Sequence, residues 1–337
     1  MPKSKVVILN WNGVEHLRRY LPSVVASVGG EVGVVVADNG STDDSMAWVR
    51  AAYPEVEVVE MAENYGFAEG YNRALQQVEA DYYILLNSDV ETPKGWVEPL
   101  IKCLDEHPEV AACAPKLRWT ERRSDFEYAG AAGGYIDYLG YPFCRGRLLR
   151  HLEHDEGQYD DERALFWVSG AAYCCRAELF HRMGGFDGDF FAHMEEIDLS
   201  WRLQLAGYEV RIVPQSVVYH YGGGTLRTDS PRKILLNHRN NLAMLIKCAP
   251  TMQLVVAMLL RPGLDLLAAL TYLVQGHTEN FKAVFRAWWE VVGWRKRLLE
   301  QRRRIRSTVR TESSHIYRGS LLVQYLIGRR RYSDFLP

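Results

Sequence analysis

The chain has 337 residues, 47% hydrophobic and 24% charged, proportions ordinary for a globular protein and long enough for one large domain or two. Six cysteines, at 103, 113, 144, 174, 175 and 248, show no CxxC pair and no regular spacing, which excludes a zinc site and a disulfide scaffold. The net charge of -2 conceals an asymmetry: residues 1–230 carry 21 Lys and Arg against 36 Asp and Glu, whereas 231–337 carry 19 against 6. An acidic body is thus joined to a basic region suited to phosphate-bearing surfaces, membrane or nucleic acid. At the N-terminus only residues 6–9 form an apolar run, far short of a signal-peptide core, so a cytoplasmic, reducing compartment with six free thiols is expected.

Residues 6–9 read as a buried strand, followed by the turn Asn10-Trp11-Asn12-Gly13 and a helical pattern of Leu17, Leu21, Val24, Val25 and Val28. A second strand, 32–37, ends in Asp38-Asn39-Gly40-Ser41-Thr42-Asp43-Asp44, where Asn-Gly supplies a tight turn and Ser41 or Thr42 can cap the next helix. Strand, helix and strand in this order make a right-handed parallel unit. A third strand is expected over 55–61 and a helix over 67–78, introduced by Asn64-Tyr65-Gly66. The run 82–91, YYILLNSDVE, then ends abruptly in Asn87, Ser88 and Asp89. A carboxylate at the carboxyl edge of a buried strand faces the crevice where α/β sheets bind ligands, so Asp89 is placed to hold a phosphate-bound metal ion. The same three residues are also ordinary turn formers. A helix over 96–107 and a strand over 110–115 complete an alternating pattern, which calls for a sheet covered on both faces.

Residues 116–165 lose this regularity, and the acidic run EHDEGQYDDE (153–162) reads as a solvated loop, with His151 and His154 a weak metal signal. Order returns at 166–176, and after Met183-Gly184-Gly185-Phe186-Asp187 a helix carries Glu195, Glu196 and Asp198 at its start. By themselves these acids suit a helix N-terminus, and Asp198 with Arg202 forms an i,i+4 pair. Short strands over 210–214 and 217–219 end at His220, before the glycines 222–224. From 231 the chain is helical, basic and aliphatic. Its apolar pieces, 254–260 and 264–274, are interrupted by Arg261, Pro262 and Asp265, so neither reaches the roughly 18–20 residues of a spanning helix. Residues 282–310 carry ten Lys and Arg against Glu290 and Glu300, interleaved with Phe285, Trp288, Trp289 and Trp294. Such a stripe suits a membrane interface, and equally packing on the body or on a second copy in a homodimer.

Together, VVILNWNG, the turn at 38–43, NYGFA (64–68), LLNSDV, MGGFD and MEEIDLSWR resemble the ordered signature of family 2 inverting glycosyltransferases over residues 5–247, most of all bacterial rhamnosyltransferase-like polysaccharide enzymes with an RNNL-like segment, here Arg239 to Leu242. The resemblance implies a GT-A α/β fold, with a nucleotide-binding half (about 1–115), an acceptor half (about 116–230) and a basic helical C-terminal region (231–337). It implies transfer of a sugar, rhamnose as first choice, from a dTDP- or UDP-type donor to a glycan or lipid-linked acceptor at the inner face of a membrane, without nucleic acid. By matching position, Asn10, Asn12 and Asp38 would meet the nucleotide, and Gly66, Asn72, Asn87 and Ser88 would line the nucleotide-sugar pocket. Asp89 and His220 would hold Mg or Mn, with the Gly222–Gly224 amides beside the phosphates. Glu196 would be the base, with Glu195 and Asp198 orienting the acceptor or the helix. Asn87 departs from the usual first acid of the DxD motif, and a neutral amide is the weaker ligand. Two readings compete: a sugar nucleotidyltransferase, which lacks its Gly-rich phosphate loop here, and a weakly catalytic glycan-binding scaffold, favoured only by Asn87.

Overall fold

An apolar run buried on both faces suits a central parallel strand, and β1 (Ser4–Asn10) occupies that place. The computed structural model describes residues 3–222 and 230–336. After β1 come α1 (Val14–Ser27), β2 (Val32–Asp38), α2 (Ser45–Ala52), β3 (Glu57–Glu60), α3 (Gly66–Leu75) and β4 (Tyr82–Asn87). Both β2 and β4 pair in parallel with β1, and β3 with β2, so Asn10, Asp38 and Asn87 finish at the same edge of the sheet. β5 (Val90–Glu91) and α4 (Glu98–Glu106) lead into β6 (Val110–Trp119), which runs on past 115 and carries the sheet into the second half of the chain.

The stretch 116–165 is more ordered than its composition suggests. A small second sheet contains β7 (Gly134–Asp137), β8 (Pro142–Cys144), β9 (Arg147–Leu148) and β10 (His151–Leu152). Its acidic run is largely solvated, as expected, with Glu153 and the Asp155 carboxylate as its buried acids. Lys116, 2% exposed, reaches Asp155 at 2.7 Å and also pairs with Asp160, while Arg145 pairs with Asp161. Buried cations need such partners, and the run supplies them from the surface. His154 pairs with Asp125, and among the described residues no group of three His, Cys, Asp or Glu forms around it.

Then follow β11 (Arg163–Ala164), β12 (Ala172–Arg176), α5 (Ala177–Arg182), α6 (Glu195–Leu205) and β13 (Glu209–His220). β13 is one strand where two were expected, because a bulge between Val213 and Val217 lets it continue along β6. β12 inserts antiparallel between β4 and β6, giving the order β11-β13-β6-β12-β4-β1-β2-β3, with β5 on β13. All six cysteines are free and buried.

The C-terminal elements are α7 (Pro231–Cys248), α8 (Thr251–Val274), α9 (Thr278–Gly293), α10 (Arg295–Ser307), β14 (Ile316–Tyr317) and α11 (Leu321–Leu326). They share a core with the body: Phe126, Phe166 and Trp201 join Leu242, Leu245, Val291 and Leu298 in one apolar cluster, and β14 adds a strand to the second sheet beside β7. α8 corrects the expectation of two broken apolar pieces. It runs unbroken through Pro262 and is long and apolar enough, by length and composition, to cross a membrane.

Candidate active site

The carboxyl ends of β1 and β2 are tied together by their own polar residues. Asp38, buried, accepts from Asn10 Nδ2 at 3.2 Å and from the Ser41 amide at 2.9 Å. Asn12, at a φ of 48°, accepts from the Thr42 amide and donates its own amide to Ser41 Oγ. A Cβ on Gly13 would lie 2.6 Å from Asn10 Oδ1 and 3.9 Å from Ser88 Oγ, so glycine there lets the first turn approach the end of β4. Asn10 Oδ1 and Asn87 Oδ1 are buried without a partner among the described residues, at an edge where a ligand would satisfy them.

Pairing of β5 with β13 sets His220 opposite Val90, and so beside Asp89. His220 Nε2 lies 3.1 Å from Asp89 Oδ1 and 3.5 Å from Asn87 Nδ2. Its other nitrogen, Nδ1, is 3.3 Å from Glu127 Oε1, a buried carboxylate that arises in the irregular stretch and that no periodicity or motif marks. Burial works against a charge on His220, but the carboxylates of Asp89 and Glu127 outweigh it and hold its pKa well above the ordinary value. For Asp89, burial pushes upward and the His220 charge and hydrogen bond more than offset it, so its carboxyl titrates below the usual range. The oxygen donors of Asp89 and Asn87 fit a hard divalent cation, which the His220 imidazole would join by giving up the proton that Asp89 and Glu127 stabilise. Among the described residues no three His, Cys, Asp or Glu side chains are arranged to hold a metal unaided, so donor phosphates would have to complete its coordination. Gly222 lies against this group, since a Cβ there would meet Glu127 Oε1 at 2.9 Å; Gly223 and Gly224 lie outside the described residues.

Glu196 stands close by. Ala171 accepts from the Asn87 amide at 3.0 Å, and a Cβ on the preceding Gly170 would lie 3.5 Å from Glu196 Cβ, so the start of β12 separates the end of β4 from the start of α6. Glu196 Oε2 has no partner among the described residues, and burial pushes the carboxyl up to about 7. Glu195 is buried as well, and burial followed by the Glu196 charge raises it well above the ordinary value. Asp198 differs from both. It is fully buried and bonded to Arg202 Nε at 2.8 Å and Lys247 Nζ at 2.8 Å, so it anchors α6 and presents no free carboxylate to a substrate.

The turn before Glu195 is strained: Phe191, His193 and Met194 have φ of 65°, 71° and 73°. Asn240 of α7 holds it, with Nδ2 within 2.9 Å of the carbonyl oxygens of Phe190, Ala192 and His193. Arg239 adds a bond to Phe190 O, and Lys247 reaches Asp187 at 2.6 Å. The same turn closes on the donor side: Phe191 O accepts from the Phe67 and Ala68 amides, and its ring lies where a Cβ on Gly66 would be. Asn72 engages the Phe186 backbone with both ends of its amide, and so clamps 183–187 to α3 without a free group for a sugar. These clamps link the donor edge to the base through α7. Neither Asn240 nor Lys247 was marked as functional by the pattern of α7 alone. An open hollow of about 700 Å³, lined by Lys3, Asp81 and His181, sits at the amino ends of the strands, away from these residues.

The Glycosyl transferase family 2 model matches residues 5–155, and the Glycosyl transferase family group 2 model matches 151–295. The chain belongs to the family 2 glycosyltransferases. It is 28% identical over 258 residues to the N-acetylglucosaminyl-diphospho-decaprenol L-rhamnosyltransferase of Mycobacterium tuberculosis, across 71% of this chain and 83% of that one. Similar solved structures include S. aureus TarS 1–349 in complex with UDP, with a TM-score of 0.53 at 17% identity over 97% of this chain and 92% of that one. Another is the mannosyltransferase PcManGT from Pyrobaculum calidifontis in complex with GDP-Man and Mn2+, with a TM-score of 0.52 at 15% identity over 86% and 87%. Such likeness establishes the GT-A fold of this glycosyltransferase.

Proposed function

We propose that this glycosyltransferase moves rhamnose, with inversion, from a dTDP- or UDP-type donor to a lipid-linked glycan in surface polysaccharide synthesis. The observation that carries this reading is the grouping of Asn87, Asp89 and His220 at one strand edge, with Glu196, whose Oε2 has no partner among the described residues, against Gly170, the neighbour of the Ala171 that Asn87 bonds. The choice of sugar and acceptor rests on the mycobacterial relative, whose name joins a rhamnosyl donor to a diphospho-decaprenol acceptor.

Glu196, poised near 7, takes the proton of the attacking hydroxyl as the bond from acceptor oxygen to anomeric carbon forms and the bond from that carbon to the diphosphate oxygen breaks. Inversion requires the base and the leaving diphosphate on opposite sides of the sugar. Asp38 and Asn10 orient the nucleoside, and Ser88 and Gly66 border the sugar. Asp89, Asn87 and His220 would hold Mg or Mn, which when bound offsets the charge developing on the leaving diphosphate. We place the reaction at the inner face of a membrane, reached through residues 253–310. A donor panel with a soluble acceptor, run with manganese, magnesium or chelator, tests the scheme. Transfer from dTDP-rhamnose that stops with chelator is expected; turnover indifferent to chelator would remove the cation from Asp89, and turnover only with another sugar would displace rhamnose.

A further inference from the structure

Helix α8 is amphipathic the wrong way round for a helix packed on a soluble protein. Its buried residues, Gln253, Ala257, Arg261, Asp265 and Ala269, recur every fourth position and so form one inward stripe. That stripe is polar or small. Arg261 and Asp265 are each 1% exposed: Arg261 donates to Asn241 Oδ1 at 2.7 Å and Leu139 O at 3.0 Å, and Asp265 accepts from Trp288 Nε1 at 3.0 Å. Gln253 donates to Tyr138 O. The opposite face is aliphatic and uncovered, with Met252 at 71% exposure, Leu259 at 75%, Leu267 at 61% and Val274 at 87%. A shallow apolar hollow of about 330 Å³ opens there between Leu267, Leu270 and Val274. An apolar strip along a whole helix is far more than the scattered leucines of an ordinary surface.

We propose that α8 lies in the plane of an anionic membrane with this aliphatic face sunk among the acyl chains, and that the basic residues of α9 and α10 hold the headgroups. This rests on the reading that residues 253–310 face a membrane, and assigns the face, the depth and the lipid charge. α9 packs beside α8 and exposes Trp289 (78%) and Phe285, side chains suited to the headgroup boundary. Lys282 and Arg286 are exposed on it, each shared with a glutamate. Arg295, Lys296, Arg303 and Arg304 of α10 are exposed and have no acidic partner among the described residues. A spanning α8 would have to carry Arg261, Asp265 and Gln253 away from the groups that satisfy them, so the helix lies on the membrane and does not cross it. A symmetric pairing through this face would set the basic side chains of one copy against those of the other, whereas an anionic bilayer complements them.

The test is flotation of the full chain with phosphatidylcholine vesicles, with and without phosphatidylglycerol, for the wild type, Leu259→Glu/Leu267→Glu and Arg295→Glu/Lys296→Glu. Turnover of soluble acceptor and sedimentation velocity are measured on the same samples. The expected result is wild-type binding to anionic vesicles only, released by alkaline carbonate, and weakened about tenfold or more in the leucine variant while soluble turnover is unchanged. The charge variant should lose the preference for phosphatidylglycerol. Wild type that does not float, a leucine variant that floats equally well, resistance to carbonate, or a dimer abolished by the leucine variant would each overturn the proposal. Absence of turnover with intact flotation would instead count against the transfer reading alone.

Discussion

Strand β4 and helix α8 are both strongly apolar, and they use that character in opposite ways. In β4, Tyr82 to Leu86 are buried and the polar residues that follow emerge at the edge of the sheet, where Asp89 meets His220. In α8 the charged pair Arg261 and Asp265 is buried, and Leu259 and Val274 are in the open. A strand in the middle of a sheet has no choice of partner, because both its faces are covered. A helix at the margin can satisfy its polar stripe against loop carbonyls and leave its apolar stripe for another phase. Hydrophobicity therefore marks the interior in one region and an outer surface in the other.

The contrast can be broken most severely at the base. Glu196→Gln should lower kcat by about 10²- to 10⁴-fold while nucleotide binding, followed by calorimetry, persists. Because the base must be ionised and burial raises its carboxyl to about 7, wild-type kcat should climb as pH rises through that value and the climb should vanish in the variant. Wild-type turnover by Glu196→Gln would remove the residue from the chemistry. Next is Lys247→Met, which removes the 2.6 Å ion partner of buried Asp187 and leaves Asp198 with Arg202 alone, and should destabilise the chain by about 3–5 kcal/mol in urea unfolding. Asn240→Ala should cost about 1–3 kcal/mol, since the carbonyls of Ala192 and His193 lose this donor while Phe190 O keeps its bond to Arg239. In that variant kcat should fall further than donor affinity; an equal fall in both would mean that the turn does not position the base. The smallest effect belongs to α8: Leu267→Gln should change stability by no more than about 0.5 kcal/mol, as expected of a side chain already in the open. A loss of several kcal/mol there would show that the aliphatic face is packed, and would dissolve the contrast with β4.

Several parts of the donor edge were legible because local chemistry and strand position coincide. Asn10, Asp38 and Asp89 each follow an unbroken apolar run, so their place at the strand ends follows from the period of the chain. Glu127 was not legible. It lies in a stretch without periodicity, and only the extension of β6 and the bulge in β13 bring it to His220. Asp198 reads in the sequence as half of an i,i+4 pair or as a group that orients the acceptor, and the arrival of Lys247 from α7 gives it a second buried partner beside Arg202. The acidic run at 153–162 is solvated over most of its length, but its ion pairs with Lys116 and Arg145 were not legible, because those cations are distant in sequence.

By itself the sequence determined the alternating strands and helices, the family and the acids that end each strand, since these depend on periodicity and on residues near one another in the chain. Only the tertiary structure decided which carboxylates are free and which are locked, that β12 runs antiparallel through the sheet, and that α8 turns its charges inward. Each of those outcomes depends on a partner from a remote segment. A buried charge is stabilised or stranded by where that partner arrives, and spacing along a single element carries no record of it.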